Sequence, residues 1–199
     1  RLMLVQQLTA AVVETTSGSA MLSAEDVESV SGALEQMTTV PSQLSGSVVE
    51  TSASLLRVVA KGGAANPQSI STEAAGTIAR VSSNLLDART LSPTHVGERH
   101  QATVETVVDV LVAVSQSIAD GLVPNQHAFQ LETQSFTMQT ARISTTSHAA
   151  RNSGVKDIAH IPAAELPDNL HVQTVKWNNN PFVSLAGDTP VGHPDMIVS

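Results

Sequence analysis

The stretch HAFQLETQSFTMQTARIS, residues 127–144, is where the chain changes its period. Phe129 and Leu131 alternate with polar neighbours, Phe136 and Met138 do so again, and Ile143 follows. A period of two is the mark of a strand with one face buried. The alternation slips at Glu132-Thr133-Gln134-Ser135, which predicts a turn or bulge between two short strands. Upstream of Pro124 the apolar residues recur instead every three or four positions, the spacing of a helix face. Helices ahead of this junction and strands behind it predict an α+β fold, with residues 1–124 forming a bundle of about five short helices and residues 125–199 a β-rich, antiparallel, sandwich-like part.

Working upstream, residues 2–16 place Leu4, Leu8, Ala11 and Val12 on one face, and Gly18 marks a stop. In SAEDVESVSGALEQM (23–37), Ser23 is followed three residues later by Asp26. That is a capping-box pattern, with carboxylates in the first turn where the helix dipole favours them. Val27, Val30, Leu34 and Met37 form the stripe behind it. A third helix is expected from Ser42 to Val59, with Leu44, Val48, Leu55 and Val59 inward, and KGGAANP (61–67) reads as the linker after it. The fourth starts near Ser71 or Thr72, turns Ala75, Ile78, Ser82, Leu85 and Leu86 inward, and is broken by DARTLSP (87–93). The fifth and longest runs from Pro93 or Thr94 to Asp120 on a stripe of Val104, Val107, Val108, Leu111, Val114 and Ile118, with Gly121 as its stop.

Downstream, TTSHAARNSG (145–154) reads as a polar loop, while VKDIAHIP (155–162), LHVQTVKW (170–177) and MIVS (196–199) read as strands. VKWNNNPF (175–182) holds the only tryptophan of the chain, beside three asparagines and an Asn-Pro-Phe triplet. Such a triplet can dock in an endocytic adaptor, or it can form a structural corner. Because it follows a predicted strand, and Asn before Pro forms turns, the corner is the better reading. Trp177, Pro181, Phe182, Phe129 and Phe136 are therefore the expected anchors of the β part.

Composition sets the limits. Apolar residues make up 41% but aromatics only 2%, so the core must come from Ala, Val, Leu, Ile and Met. Charged residues are only 14%, and Ser, Thr, Ala and Gln dominate the rest, a style found in extracellular and filament proteins. The net charge is −8 and the ten basic residues are scattered, which argues against nucleic-acid binding, since phosphates need concentrated positive charge. There is no cysteine to supply a disulfide, thiolate ligand or nucleophile. Spanning a bilayer takes about 18–20 apolar residues, and no uninterrupted apolar run suggests one, so no membrane contact by this segment is expected.

The chemistry-bearing residues form no signature. His95 and His100 are five apart, off the three-or-four spacing of a helix face, while His160 and His171 flank a proline-rich loop where they could meet. No His-Glu-x-x-His, Gly-x-Ser-x-Gly, phosphate loop or Asp-x-Asp-x-Asp-Gly run occurs. We accordingly expect no enzyme activity and assign no catalytic, cofactor-binding or metal-ligating residue.

The order of LSAEDVESVSGALEQMT (22–38), VSSNLLDA (81–88), QSIADGLVPNQ (116–126), FQLETQSFTMQTARIS (129–144), IPAAEL (161–166) and VQTVKWNNNPF (172–182) resembles the GAIN domain of adhesion receptors. It resembles more closely the corresponding region of polycystin-family proteins, which carries the receptor-for-egg-jelly module. The resemblance implies a helical subdomain followed by a β-sandwich subdomain, here partial, in a piece of a longer chain. It further implies a non-enzymatic ectodomain beside the membrane, on a cilium or flagellum, whose partners are other domains of its parent chain and a polycystin-type channel subunit. The family's His-Leu-Ser/Thr cleavage tripeptide with flanking Cys and Trp is absent here, so self-cleavage is not carried over. The competing reading is an extracellular filament subunit of flagellin or pilus type. Such proteins share this composition, but their C-terminal helix has no counterpart in WNNNPFVSLAGDTPVGHPDM (177–196), with its three prolines and two glycines.

Overall fold

The structure, a computed structural model, describes residues 1–16, 22–66, 69–90, 98–144, 169–178, 181 and 196–198. Five helices come first: α1 Leu2–Thr16, α2 Ala24–Thr38, α3 Gly46–Ala64, α4 Thr72–Thr90 and α5 Glu98–Gly121. Four strands follow: β1 Phe129–Glu132, β2 Phe136–Ser144, β3 Asn169–Trp177 and β4 Met196–Val198. They form one antiparallel sheet in the order β1-β2-β3-β4. The expected α+β class, helical bundle first, is the class of this molecule.

Local chemistry explains where the helices start. The Ser23 hydroxyl accepts from the Asp26 N–H at 3.1 Å, and the Asp26 carboxylate accepts from the Ser23 N–H at 3.2 Å, closing the capping box ahead of α2. Ser45 caps α3 in the same manner through the Val48 N–H. The third helix therefore begins at Gly46 and not at Ser42, because Pro41–Gln43 make a separate 3-10 turn.

Three further expectations are refined or corrected. KGGAANP does not open with a linker: α3 continues through Lys61, Gly62 and Gly63 to Ala64. A Cβ on Gly63 would lie 2.9 Å from Ile70 Cγ1 and 3.1 Å from Val27 Cγ2, so this glycine permits close approach inside the bundle. Similarly, α4 continues through Asp87, Ala88 and Arg89 before it ends at Thr90, within DARTLSP. On α1, two of the four residues expected inward, Leu8 and Val12, lie there, and Leu4 and Ala11 do not. Val5 and Val12 are buried, with Leu2 and Leu8 packed beside them, whereas Leu4 is 57% exposed and Ala11 also faces outward. Since α1 carries no charge between Leu2 and Val13, its period alone does not choose the face; packing against α3 does.

The stripes of the other helices lie in the core as expected. Val27, Val30 and Leu34 of α2, Leu55 and Val59 of α3, Ile78 and Leu85 of α4, and Val104, Leu111 and Ile118 of α5 are all buried in one cluster. α5 packs against α3 and α4 on one side and against β2 and β3 on the other. Its Gln101–Gly121 segment is long and apolar enough to cross a bilayer by length and composition, contrary to the reading of the sequence. Within the fold that apolarity is used by neighbours on both sides, as expected for a helix that is the centre of a core.

The chain enters its β half at Asn125, the one described non-glycine residue in the left-handed region, with φ of 63°. Asparagine tolerates that conformation, and here it ties the connection to the far end of β2. The Asn125 N–H donates to the Arg142 carbonyl at 2.8 Å, and its side-chain oxygen accepts from the Ser144 N–H at 3.1 Å.

The strand register sorts side chains onto two faces. Phe136 pairs with Trp177, Met138 with Val175 and with Leu131 of β1, and Thr140 with Gln173 and with Phe129. This inner face meets the helices: Phe136, Met138, Val175 and Trp177 belong to the same core cluster as the helix stripes. On the outer face Ala141, Ile143, Leu170 and Val172 are buried in a second cluster, with Ala128 packed against it.

Candidate functional site

On α4, residues Thr77, Arg80, Ser83, Asn84 and Asp87 recur at intervals of three and four, which places them on one polar face of the helix. The β1–β2 turn comes down on that face. Together with Glu35 and Thr39 of α2, it encloses a groove of about 440 Å³ lined by Arg80, Ser83, Asn84, Glu132, Thr133 and Gln134.

Two of the groove's charges, Arg80 and Glu35, are paired with each other. Arg80 Nε donates to Glu35 Oε1, and Arg80 Nη2 reaches Glu35 Oε2 at 3.3 Å and Thr77 Oγ1 at 3.0 Å. The bond to Glu35, with lesser attraction from Glu73, holds the Arg80 guanidinium above its ordinary pKa despite partial desolvation. Arg80 is therefore cationic at every accessible pH, and both its charge and its fork are committed to α2.

Beneath the groove lies a chain of hydroxyls. Ser83 Oγ donates to Ser135 Oγ at 3.0 Å, and Ser135 Oγ donates to Asp87 Oδ1 at 2.6 Å. The Ser135 N–H also donates to Ser83 Oγ, at 3.2 Å. Both serines are buried. Two serines and a carboxylate suggest nucleophile chemistry only when an imidazole or amine can take the proton. The hydrogen bonds of Ser83 and Ser135 described here hold a turn on a helix.

From above, Asn178 completes the hold. Its N–H donates to the Ser135 carbonyl at 2.9 Å, and its Nδ2 donates to the carbonyls of Thr133 at 3.3 Å and Gln134 at 2.9 Å. The first asparagine of the NNN run thus satisfies three consecutive turn carbonyls. Directly before it, Trp177 is 2% exposed, and its ring meets that of Phe136 edge-on, with centroids 5.5 Å apart at 66°. Such an edge-to-face pair stabilises beyond the area it buries, by about 0.5–1.5 kcal/mol.

Two further polar links join sheet and bundle. Ser115 of α5 and Thr140 of β2 share a buried hydrogen bond of 2.8 Å, and Gln173 of β3 donates to the Leu111 carbonyl at 3.1 Å.

Of the expected anchors, Phe136 and Trp177 are fully buried partners, Phe129 is half-buried against the main core, and Pro181 is buried. Phe182 and Asn180 lie outside the described residues, as do His95, His160 and the strand expected at 155–162. His171 stands 3.9 Å from Asp120 at the end of α5, with both side chains substantially exposed. Among the described residues no three His, Asp or Glu side chains converge as a metal site. The sequence did not single out Ser83, Ser135, Asp87 or Asn178. In a chain so rich in serine and threonine, individual hydroxyls carry no distinguishing signal until the turn is seen on the helix.

Comparison with protein-family models and with curated proteins found no match to this chain.

Proposed function

We propose that the chain is a non-enzymatic structural module: the extracellular, juxtamembrane helical-plus-β region of a polycystin-like receptor or channel-associated protein on a cilium or flagellum. The observation that carries this reading is the second core. A sheet that packs one face on a helical bundle and builds a separate apolar cluster on the other has the layout of a helical subdomain leading into a sandwich-like one. The polar residues of the groove support the same reading, because they link elements to one another. The partners of such a module are the neighbouring domains of its parent chain and a polycystin-type channel subunit.

The test is the structure of the parent protein in its native assembly. A β part that leads into a membrane-bound partner is the expected result. Helices packed around a repeating filament axis, with no membrane part, would overturn it. One observation favours that second, filament-subunit reading: α1 carries Met3 at 70% and Leu4 at 57% exposure, a surface that subunit packing would bury.

A further inference from the structure

We propose that the β1–β2 turn is a mechanical latch, through which tension on the chain beyond β3 is passed to α4 and the helical bundle. The inference rests on the reading of this chain as a structural module and gives it a load path.

Three features of the geometry point to a latch. First, the turn is stiff in itself. The Thr133 N–H and hydroxyl both donate to the Phe136 carbonyl, at 2.9 and 2.8 Å, and the Phe136 N–H donates back to Thr133 Oγ1 at 3.1 Å. Second, it is held by residues far apart in sequence. Asn178 takes its three carbonyls, while Ser83 and Asp87 take the Ser135 N–H and hydroxyl. Residues 133–135 thus link Asn178 to α4 by hydrogen bonds, beside the packing of Trp177 in the bundle's core. Third, Asn178 stands where β3 ends, immediately after the buried Trp177. A pull applied directly after residue 178 meets the asparagine's bonds before it meets the tryptophan ring, whereas a pull from beyond β4 must first strip β4 from β3.

The chemistry suits this role. The Ser83–Ser135–Asp87 chain runs from neutral hydroxyl to carboxylate, so each bond polarises the next, and the last is charge-assisted. Because the serines are buried, breaking the chain without water leaves unsatisfied groups, so the latch resists partial opening. Once the turn lifts and water enters, nothing re-pairs the serines with α4, so release is abrupt.

The experiment is constant-force unfolding of the chain. It has no cysteine of its own, so cysteines introduced at Thr90 and Asn179 give unique attachment points that load α4 against the chain just past Asn178. Asn178→Ala, which loses two exposed hydrogen bonds, and Ser83→Ala, which loses buried ones, are each expected to raise the rate of the first rupture by about tenfold. The double variant is expected to rupture no faster than about the faster single, because either loss opens the same latch. Arg57→Ala, which removes an exposed ion pair between α3 and α5, is the control and stays within about twofold. The latch is overturned if Asn178→Ala ruptures within about twofold of the parent, or if the two single effects multiply as independent losses do. Should Asn178→Ala fail to fold, Asn178→Asp keeps the backbone donor, loses both Nδ2 bonds and completes the same cycle. These outcomes concern the chain alone. They stand or fall separately from its place in a receptor, which the native assembly decides.

Discussion

At the Phe136 end of β2 the buried side chains point toward the helices; at the Ile143 end they point away from them. Phe136, Met138, Val175 and Trp177 occupy the inner face and belong to the bundle's core. Ala141, Ile143, Leu170 and Val172 occupy the outer face and form their own cluster. Between them, at Thr140 and Gln173, the inner face turns polar but stays buried, hydrogen-bonded to Ser115 and to the Leu111 carbonyl on α5. Beyond that point the inner-face pair is Arg142 and His171. A single sheet thus serves two cores, and the crossover is made with hydrogen bonds to a helix. An apolar crossover would have left the α5 carbonyl at Leu111 without that donor; the polar one ends the bundle's core and lets the second begin.

Substitutions can break this comparison. The largest effect belongs to Trp177→Ala, which removes the biggest buried ring of the inner face and is expected to cost about 3–5 kcal/mol in urea unfolding. A loss below about 1 kcal/mol would mean that the inner face is not anchored there. Ile143→Ala is the outer-face counterpart. It is expected to cost about 2–3 kcal/mol, the lower part of the range for such truncations, since its cluster has few members. An equal or larger loss than Trp177→Ala would show the outer core to be the dominant one.

Paired glycine substitutions sharpen the contrast between crowded and open parts of the bundle. Gly63→Ala must displace Ile70 and Val27 and is expected to cost about 1–3 kcal/mol by denaturation. Gly32→Ala meets nothing within 4 Å on α2 and is expected to stabilise by about 0.5–1 kcal/mol through helix propensity. The smallest effect is expected at the groove, where Arg80 and Glu35 are partly exposed. Arg80→Ala should change stability by less than about 1 kcal/mol, and by less still in high salt. Because the Arg80 pKa is raised, its contribution is fully present below the ordinary arginine value and is lost only as pH rises through the higher folded value. The measured difference should therefore show no titration of Arg80 across the neutral range.

Much of the fold is legible in local chemistry. Ser23 and Asp26 announce their helix because a capping box lies within four residues of chain, and the slip at Glu132–Ser135 marks its turn for the same local reason. Trp177 and Phe136 are legible because large aromatics are so few. What escapes is whatever depends on a neighbour distant in sequence. The glycines of α3 look like a linker until Ile70 is placed against them. Leu4 looks like core until α3 selects the other face of α1. The shift of apolar phase between Met138 and Ile143 resembles an imperfect strand, and only the partner strand shows it to be a change of face. The contact of Ser83 with Ser135 is the extreme case: both belong to the commonest polar class in the chain, and their role exists only in the contact between α4 and the turn.

The position of α5 has a consequence for how the molecule is made. A ribosome delivers α1–α5 before β1–β4, so α5 can dock on α3 and α4 while the side it will turn to β2 and β3 is still bare. That bare side belongs to the one described helix with the length and apolarity of a bilayer span. Until Phe136, Met138, Val175 and Trp177 arrive to cover it, the nascent chain displays an adhesive surface that the finished molecule hides. The interval between synthesis of Gly121 and of Trp177 is when this protein is most exposed to aggregation, mistaken membrane insertion or capture by a chaperone.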